Sequence, residues 1–175
     1  MFNLNIKIFI VFSSFPDGVN FDTNKYSAIE EDVLDLIDGM TFKKKDSWGA
    51  NKFYMPHGIT VDHEDNIWLT DVAMHQVFKF NLDQSDEPLL VLGTEFAPGN
   101  GETQLCKPTS IDLSKTNGDI YVGDGYCNNR IVRYDKDGNF IKSYQDSSKP
   151  LVVVHSVAVI DNLNYVCGVS REEGR

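Results

Sequence analysis

The chain has 175 residues, of which 41% are hydrophobic and 24% are charged, the balance of a globular domain. Its 16 basic and 26 acidic residues give a formal net charge of −10, so nucleic acid and anionic membrane surfaces are not expected partners. No apolar run is long enough to span a bilayer, and we expect no membrane insertion within this chain.

The first 50 residues contain two segments that we interpret as strands. The apolar run over residues 6–12 fits either the hydrophobic region of a signal peptide or a buried strand. No basic region precedes this run and Lys7 interrupts it, so the strand is the favoured interpretation. Residues 28–38 have some helix-like apolar spacing, but their β-branched content and alternation leave them ambiguous, and we interpret most of them as the approach to a strand.

Short alternating runs rich in Val, Ile, Phe, Tyr and Trp follow from residue 56 onward, separated by turn residues. The dipeptides Asn117-Gly118 and Asp137-Gly138 accept the positive φ of a tight hairpin turn. Such a pattern predicts an all-β sandwich, barrel or propeller. The predicted strands cover residues 56–61, 66–70, 76–80, 89–92, 119–122, 130–134 and 140–144.

Internal repetition decides between these architectures. A unit beginning at Pro56 reads Pro-His-Gly-Ile-Thr-Val-Asp and is followed by Asn-Ile-Trp-Leu-Thr-Asp. Related units begin near residue 108, which is 52 residues after the first start, and near residue 154, which is 46 residues after the second. This period is typical of propeller blades, whereas a sandwich gives no reason for it. We predict a single partial propeller domain over residues 1–175, with residues 1–50 as the remnant of a preceding blade.

The second position of the repeat holds the candidate metal ligands, His57 and His155, and the middle unit has Thr109 there. Because equivalent positions in successive blades face one axis, the two histidines can converge on one Zn²⁺, a metal that imidazole suits. The alternative is that they fall at similar positions by chance and only cap strands, since three ligands are normally needed. His63 and His75 lack this placement, and we predict that both are surface histidines.

Several segments resemble peptidyl-α-hydroxyglycine α-amidating lyases, which are NHL-repeat proteins. The most specific is Asp-Gly-Tyr-Cys-Asn-Asn-Arg-Ile-Val at residues 124–132. The other matching segments are residues 53–59, 68–79, 154–158 and 171–175, and the resemblance covers residues 17–175. It implies an NHL-type β-propeller of six blades, of which this chain holds about three. It also implies cleavage of a peptidyl-α-hydroxyglycine into a peptide amide and glyoxylate, after a copper monooxygenase has hydroxylated the glycine.

The resemblance also implies roles for particular residues. His57 and His155 match two of the three zinc ligands of the family, and the carbonyl of Ile59 matches a ligand of a structural Ca²⁺. Tyr126 matches a proposed catalytic base, and Arg171 matches an arginine of the cavity. Without the resemblance, Tyr126 would be interpreted as an aromatic that packs between blades and Arg171 as a charge facing solvent.

The three cysteines fit a protein of the secretory pathway. The resemblance implies a disulfide between Cys106 and Cys127, and disulfides persist in oxidising compartments. It places the partner of Cys167 just beyond Arg175. Three free thiols in a cytosolic protein are the less favoured alternative.

The sequence also departs from the family. The third zinc histidine has no match, nor does an arginine from a Phe-His-Arg-Gly segment, and Ser170 stands where the family usually has Asp. We therefore expect this chain alone to bind zinc weakly and to have little or no lyase activity. The alternative function is a non-catalytic NHL-repeat propeller that binds a protein partner.

Overall fold

The computed structural model describes residues 7–11, 27–82, 87–145, 148 and 151–172. These residues form β-strands joined by turns and loops, with one short 3₁₀ segment at Asp161–Leu163. In the part of the chain so described, no helix has the length and apolar character needed to cross a membrane. The strands are β1 (Lys7–Val11), β2 (Leu34–Asp38), β3 (Lys44–Trp48), β4 (Pro56–Val61), β5 (Ile67–Asp71), β6 (Gln76–Phe80), β7 (Leu90–Leu92), β8 (Ser110–Leu113), β9 (Ile120–Asp124), β10 (Arg130–Tyr134), β11 (Phe140–Tyr144), β12 (Val154–Ile160) and β13 (Tyr165–Ser170).

The strands form four antiparallel sheets, each made of consecutive strands. We name them blade 1 (β1–β3), blade 2 (β4–β7), blade 3 (β8–β11) and blade 4 (β12 and β13). Blades 2 and 3 have four strands each, with β4 and β8 at one edge and β7 and β11 at the other. The all-β prediction is therefore confirmed, and blades 2 to 4 begin close to the starts of the three repeat units.

Local predictions agree with these sheets. Strand β1 pairs with β2 from Lys7 opposite Asp38 to Val11 opposite Leu34. The first segment is thus a strand, as predicted, and the second approaches and then forms β2. The two predicted hairpin turns have a glycine at positive φ, +78° at Gly118 and +86° at Gly138.

Hydrophobic side chains fill the layers between neighbouring blades. The central strand β5 is buried along its whole length, because alternate residues face blade 1 and blade 3. Burying a side chain such as that of Leu69 stabilises the fold by roughly 2 kcal/mol. The layer between blades 1 and 2 contains Val33, Leu34, Phe53, Ile67, Leu69, Met74, Phe78 and Phe80. The layer between blades 2 and 3 contains Trp68, Val77, Leu92, Leu105, Ile111, Ile120, Val122, Val132 and Tyr134. The smaller layer beside blade 4 contains Ile131, Val154 and Val157.

A buried polar residue ends the second strand of blades 2, 3 and 4, and we call the region around it a corner. In blade 2 the carboxylate of Asp71 accepts hydrogen bonds from four backbone N–H groups, those of Tyr54, Met55, Ala73 and Met74. Burial raises the pKa of Asp71, although these four hydrogen bonds act in the opposite direction. The corner therefore connects the segment before β4 to the turn after β5.

The corner of blade 3 has a different set of partners. Asp124 accepts hydrogen bonds from the backbone N–H of Cys106, the amide of Asn128 and the guanidinium of Arg130. Burial raises its pKa against the effect of these three donors. In blade 4 the equivalent residue is Ser170, whose hydroxyl both accepts from and donates to the backbone of Val152.

A side chain from the corner of blade 2 and one from the corner of blade 3 also reach the next blade. The Nδ1 atom of His75 accepts the N–H of Lys107 at 3.1 Å, and the Oδ1 atom of Asn129 accepts the N–H of Val153 at 2.7 Å. All four residues have positive φ, between +54° and +60°. Such a backbone conformation is unusual for Lys and strained for Val, so these links hold it in place.

The surface prediction for His75 is therefore wrong. Only 9% of this residue is exposed, because its ring turns inward to accept the N–H of Lys107. The pKa of His75 falls to about 4, mainly because the ring is buried and secondly because the charge of Lys107 is near. His63 is exposed in the turn between β4 and β5, as predicted.

Candidate active site

Irregularities in two inner strands direct the two candidate zinc ligands. In blade 2, Pro56 pairs with Asp71 and Ile59 with Leu69, so His57 and Gly58 together oppose Thr70. In blade 4, His155 is the extra residue between two paired positions of β12. A bulge of this kind re-aims a side chain that would otherwise follow the alternation of the strand.

Gly58 is required beside His57 because the neighbouring blade comes very close. A Cβ atom at this position would lie 2.6 Å from the carbonyl oxygen of Thr109. The N–H of Gly58 donates to the hydroxyl of Thr70 at 2.8 Å, which fixes the bulge from within blade 2. A side chain here would push blades 2 and 3 apart.

The bulges bring His57, Tyr126 and His155 together. The phenolic oxygen of Tyr126 lies 3.0 Å from Nε2 of His57 and 3.1 Å from Nε2 of His155. The two imidazole rings are 5.1 Å apart between centroids and meet edge to face. Residues separated by nearly 100 positions in the sequence thus converge, as the repeat predicts.

The other ring nitrogen of His57 indicates which tautomer is present. Its Nδ1 atom lies 2.8 Å from the carbonyl oxygen of Thr109, which can only accept a hydrogen bond. We therefore assign the proton to Nδ1, so that Nε2 carries the free lone pair towards Tyr126. Imidazole ligands of metals are held in this way by a hydrogen bond on the opposite nitrogen.

Arg171 completes this group of side chains. Its guanidinium carbon lies 5.4 Å from the centroid of the Tyr126 ring. Its backbone N–H donates to the carbonyl of Val153, and its side chain forms an ion pair with Glu172 that raises its pKa. Burial lowers the pKa of His155, and its electrostatic interactions with His57 and Arg171 lower it further.

A disulfide holds the loop that carries Tyr126. Cys106 and Cys127 are bonded to each other, which connects the residue after Tyr126 to the segment before β8. The N–H of Tyr126 also faces the carbonyl of Lys107, at 3.4 Å. The disulfide implied by the resemblance is thus present, whereas Cys167 is an exposed free thiol in β13.

The rest of the Asp-Gly-Tyr-Cys-Asn-Asn-Arg motif supports the same loop. Asn128 donates to Asp124 and to the carbonyl of Gly99. The buried guanidinium of Arg130 donates to Asp124 and to three backbone carbonyls, those of Asn100, Gly101 and Gln104. The sequence contained this motif, but only the structure indicates that Asn128 and Arg130 act as supports.

The donor atoms available here fit part of a zinc site. Two imidazole Nε2 atoms point towards a common position, and one of them has its tautomer fixed. Across the described ranges, no group of three or more His, Cys, Asp or Glu side chains could hold a metal ion. Ile59, the predicted calcium ligand, lies in β4 opposite Leu69, two residues after His57.

Comparisons with known proteins agree with this fold. The NHL repeat family matches residues 53–80 and 105–134. A streptogramin B lyase structure is similar with a TM-score of 0.57 at 18% identity, over 79% of this chain and 41% of that one. A luciferin-regenerating enzyme is similar with a TM-score of 0.55, also at 18% identity, over 78% of this chain and 43% of that one. At this identity the two structures show only the fold, and the NHL-type β-propeller prediction is confirmed.

Curated relatives have higher identity. The chain is 40% identical over 153 residues to Peptidyl-alpha-hydroxyglycine alpha-amidating lyase 2 of Drosophila melanogaster, covering 86% of this chain and 37% of the relative. It is 41% identical over 167 residues to a probable lyase of the same name from Caenorhabditis elegans, covering 93% and 47%. It is 40% identical over 172 residues to Peptidyl-glycine alpha-amidating monooxygenase of Mus musculus, covering 91% and 18%. The chain thus spans less than half the length of these relatives. The predicted resemblance is confirmed, and the chain is an NHL-repeat relative of the peptidyl-α-hydroxyglycine α-amidating lyases.

Proposed function

We propose that this protein acts in a lyase that converts a peptidyl-α-hydroxyglycine into a C-terminal peptide amide and glyoxylate. The observation that carries the proposal is the position of the Tyr126 hydroxyl, within 3.1 Å of Nε2 of both His57 and His155. Arg171 stands over the same ring and supplies a positive charge for a substrate carboxylate.

The proposed reaction uses these side chains in a definite order. The substrate carboxylate replaces Glu172 as the partner of the Arg171 guanidinium, which places the α-hydroxyl near Tyr126. Tyr126, acting as a phenolate, removes the proton from this hydroxyl. The oxygen then forms the carbonyl of glyoxylate while the C–N bond breaks, and the leaving amide nitrogen takes the proton from the Tyr126 hydroxyl, which regenerates the phenolate.

Zinc and calcium belong to the proposal as cofactors. His57 and His155 would hold Zn²⁺ through their Nε2 atoms, with Thr109 orienting His57. Bound zinc would act as a Lewis acid that makes the substrate hydroxyl easier to ionise. A structural Ca²⁺ at the carbonyl of Ile59 stays a prediction from the resemblance.

The biological setting is proposed on the same basis. A monooxygenase that hydroxylates a C-terminal glycine would supply the substrate, and one relative is named for that activity. The disulfide between Cys106 and Cys127 supports a location in the secretory pathway or outside the cell.

Release of glyoxylate from an α-hydroxyglycyl peptide tests the reaction. We expect the 175 residues alone, with zinc added, to bind the metal weakly and to turn over slowly, since the described residues place two imidazoles at the site. Robust turnover by this chain would contradict the weak-activity prediction while supporting the lyase.

A chimera tests the lyase reaction independently of whether the 175 residues are active alone. These residues would replace the matching segment of the Drosophila lyase, which is 40% identical over 153 residues. We expect the chimera to release glyoxylate and Tyr126→Phe to reduce its kcat at least about 100-fold, the usual contribution of a general base. Unchanged activity in Tyr126→Phe would rule out this base. An inactive but folded chimera would favour the alternative, a propeller that binds a protein partner.

A further inference from the structure

Thr109 contacts the region of both candidate zinc ligands: the side chain of His57 and the backbone of the residue before His155. Its carbonyl oxygen accepts the hydrogen bond from Nδ1 of His57 at 2.8 Å. Its hydroxyl donates to the carbonyl oxygen of Val154 at 2.6 Å, and Val154 immediately precedes His155. Thr109 itself is only 1% exposed, so water does not compete for either contact.

The carbonyl of Val154 occupies a notch in blade 3 that leaves it little freedom. A Cβ atom at Gly125 would lie 1.9 Å from this oxygen, and one at Gly123 would lie 3.3 Å from it. The Thr109 hydroxyl forms another wall of the notch, since a Cβ at Gly123 would lie 3.1 Å from Oγ1. Val154 has no exposed surface, so its side chain anchors the same residue from the other direction.

We infer that Thr109 is the positioning residue that sets the separation of His57 and His155. Its carbonyl orients the His57 ring, and its hydroxyl fixes the backbone that begins the bulge at His155. Blade 3 thus contributes a spacer at the repeat position where its neighbours contribute imidazoles. The inference rests on the proposed function only in taking the two histidines as a pair that binds zinc.

Thr60 offers a matched control. Its hydroxyl donates to the carbonyl of Ile111 at 2.8 Å, so it makes the same kind of bond between blades 2 and 3 as the Thr109 hydroxyl makes between blades 3 and 4. It is three residues from His57 and takes no part in the contacts among the four site residues. A merely structural role for Thr109 predicts that Thr109→Val and Thr60→Val have similar effects on every measurement.

Two measurements without substrate test the inference in the 175-residue chain. The first is zinc affinity, measured by competition with a chromophoric chelator. We expect Thr109→Val to weaken it about 10- to 100-fold, the usual effect of losing a residue that orients a metal ligand. Thr109→Ser, which keeps the hydroxyl, and Thr60→Val should stay within about 3-fold of the original affinity.

The second measurement needs no metal. NOEs between the imidazole protons of His57 and His155 report the separation of rings whose centroids are 5.1 Å apart. We expect these NOEs in the original chain, in Thr109→Ser and in Thr60→Val, and their loss in Thr109→Val. If Thr109→Val does not fold, Gly125→Ala, whose Cβ would lie 1.9 Å from the Val154 oxygen, displaces that carbonyl by another route and should give the same loss.

The outcomes are distinct from those of the lyase assay. If Thr109→Val or Gly125→Ala folds and retains both the zinc affinity and the NOEs of the original chain, the inference is wrong. The inference is also wrong if Thr60→Val reduces the zinc affinity or the NOEs as much as Thr109→Val does. A lack of glyoxylate release with these results intact would count against the proposed reaction and not against the role of Thr109.

Discussion

The corners of blades 2 and 3 have the same place in the fold but different partners. Asp71 is satisfied by four backbone N–H groups, all within 17 residues of it. Asp124 has one backbone donor and two side-chain donors, Asn128 and Arg130, which flank the loop after Tyr126. The corner of blade 2 therefore acts as scaffold alone. The corner of blade 3 shares its hydrogen bonds with the loop that carries the proposed base.

The largest predicted effect tests the scaffold role of Asp71. Asp71→Ala leaves four backbone N–H groups, two of them buried, without their acceptor, and we expect it to lower the free energy of unfolding by about 4 kcal/mol in urea titrations. Asp137→Ala, at an exposed turn, is the control and should change it by less than about 0.5 kcal/mol. Equal effects would show that the Asp71 corner is not a main support of the fold.

Removing the disulfide tests whether the stability of the blade 3 corner depends on more than the hydrogen bonds of Asp124. Replacing both Cys106 and Cys127 with Ser opens a loop between residues 21 apart, and we expect a loss of roughly 3 kcal/mol. The same double variant should reduce the glyoxylate release of the chimera, because Tyr126 adjoins Cys127. In the 175-residue chain Cys167→Ser should leave the free energy of unfolding unchanged, and a similar loss in that variant would contradict this assignment.

The contact between the two corners predicts a pH dependence. His75 has a pKa of about 4 in the folded protein against 6.5 when unfolded, so the unfolded chain binds its proton first. Its contribution is therefore fully present above pH 6.5 and declines as the pH falls towards 4. We expect a loss of about 2 kcal/mol over this range.

Paired variants isolate that contribution. Asn tolerates the positive φ of His75, so His75→Asn should remove most of the difference in unfolding free energy between pH 7 and pH 4.5. His63→Asn, at an exposed histidine, should leave the difference unchanged. If the two variants behave alike, the link from His75 to Lys107 does not control the acid sensitivity.

The smallest predicted effect concerns the corner of blade 4. Ser170→Ala removes two hydrogen bonds to the backbone of Val152, and we expect a loss of about 1 kcal/mol. Ser156→Ala, on the exposed side of β12, is the control for serine removal in this blade. If Ser170→Ala lowered the free energy of unfolding as much as Asp71→Ala, a serine would stabilise a corner as strongly as a carboxylate does.

Repetition in the sequence was sufficient to predict much of the fold. The repeat also predicted that His57 and His155 lie close together, because both occupy its second position and equivalent positions of successive blades face one axis. Tyr126 and Arg171 entered only through the resemblance, because a lone aromatic or arginine has no periodic signal.

Two features could not be predicted from residue types. The contact of Thr109 with His57 uses a backbone carbonyl, which every residue has, so no letter in the sequence marks it. The burial of His75 depends on a left-handed turn that directs its ring inwards, and polar residues in loops are ordinarily exposed.

The links from the corners of blades 2 and 3 to the next blade bear on how the chain assembles during synthesis. The donor to His75 lies 32 residues later in the chain, and the donor to Asn129 lies 24 residues later. Each step thus needs only the next short stretch of chain, and nearest-neighbour contacts of this kind allow folding to spread from one unit to the next. An arc of blades connected in this way can grow in the direction of translation, and each added blade completes the polar contacts of the one before it.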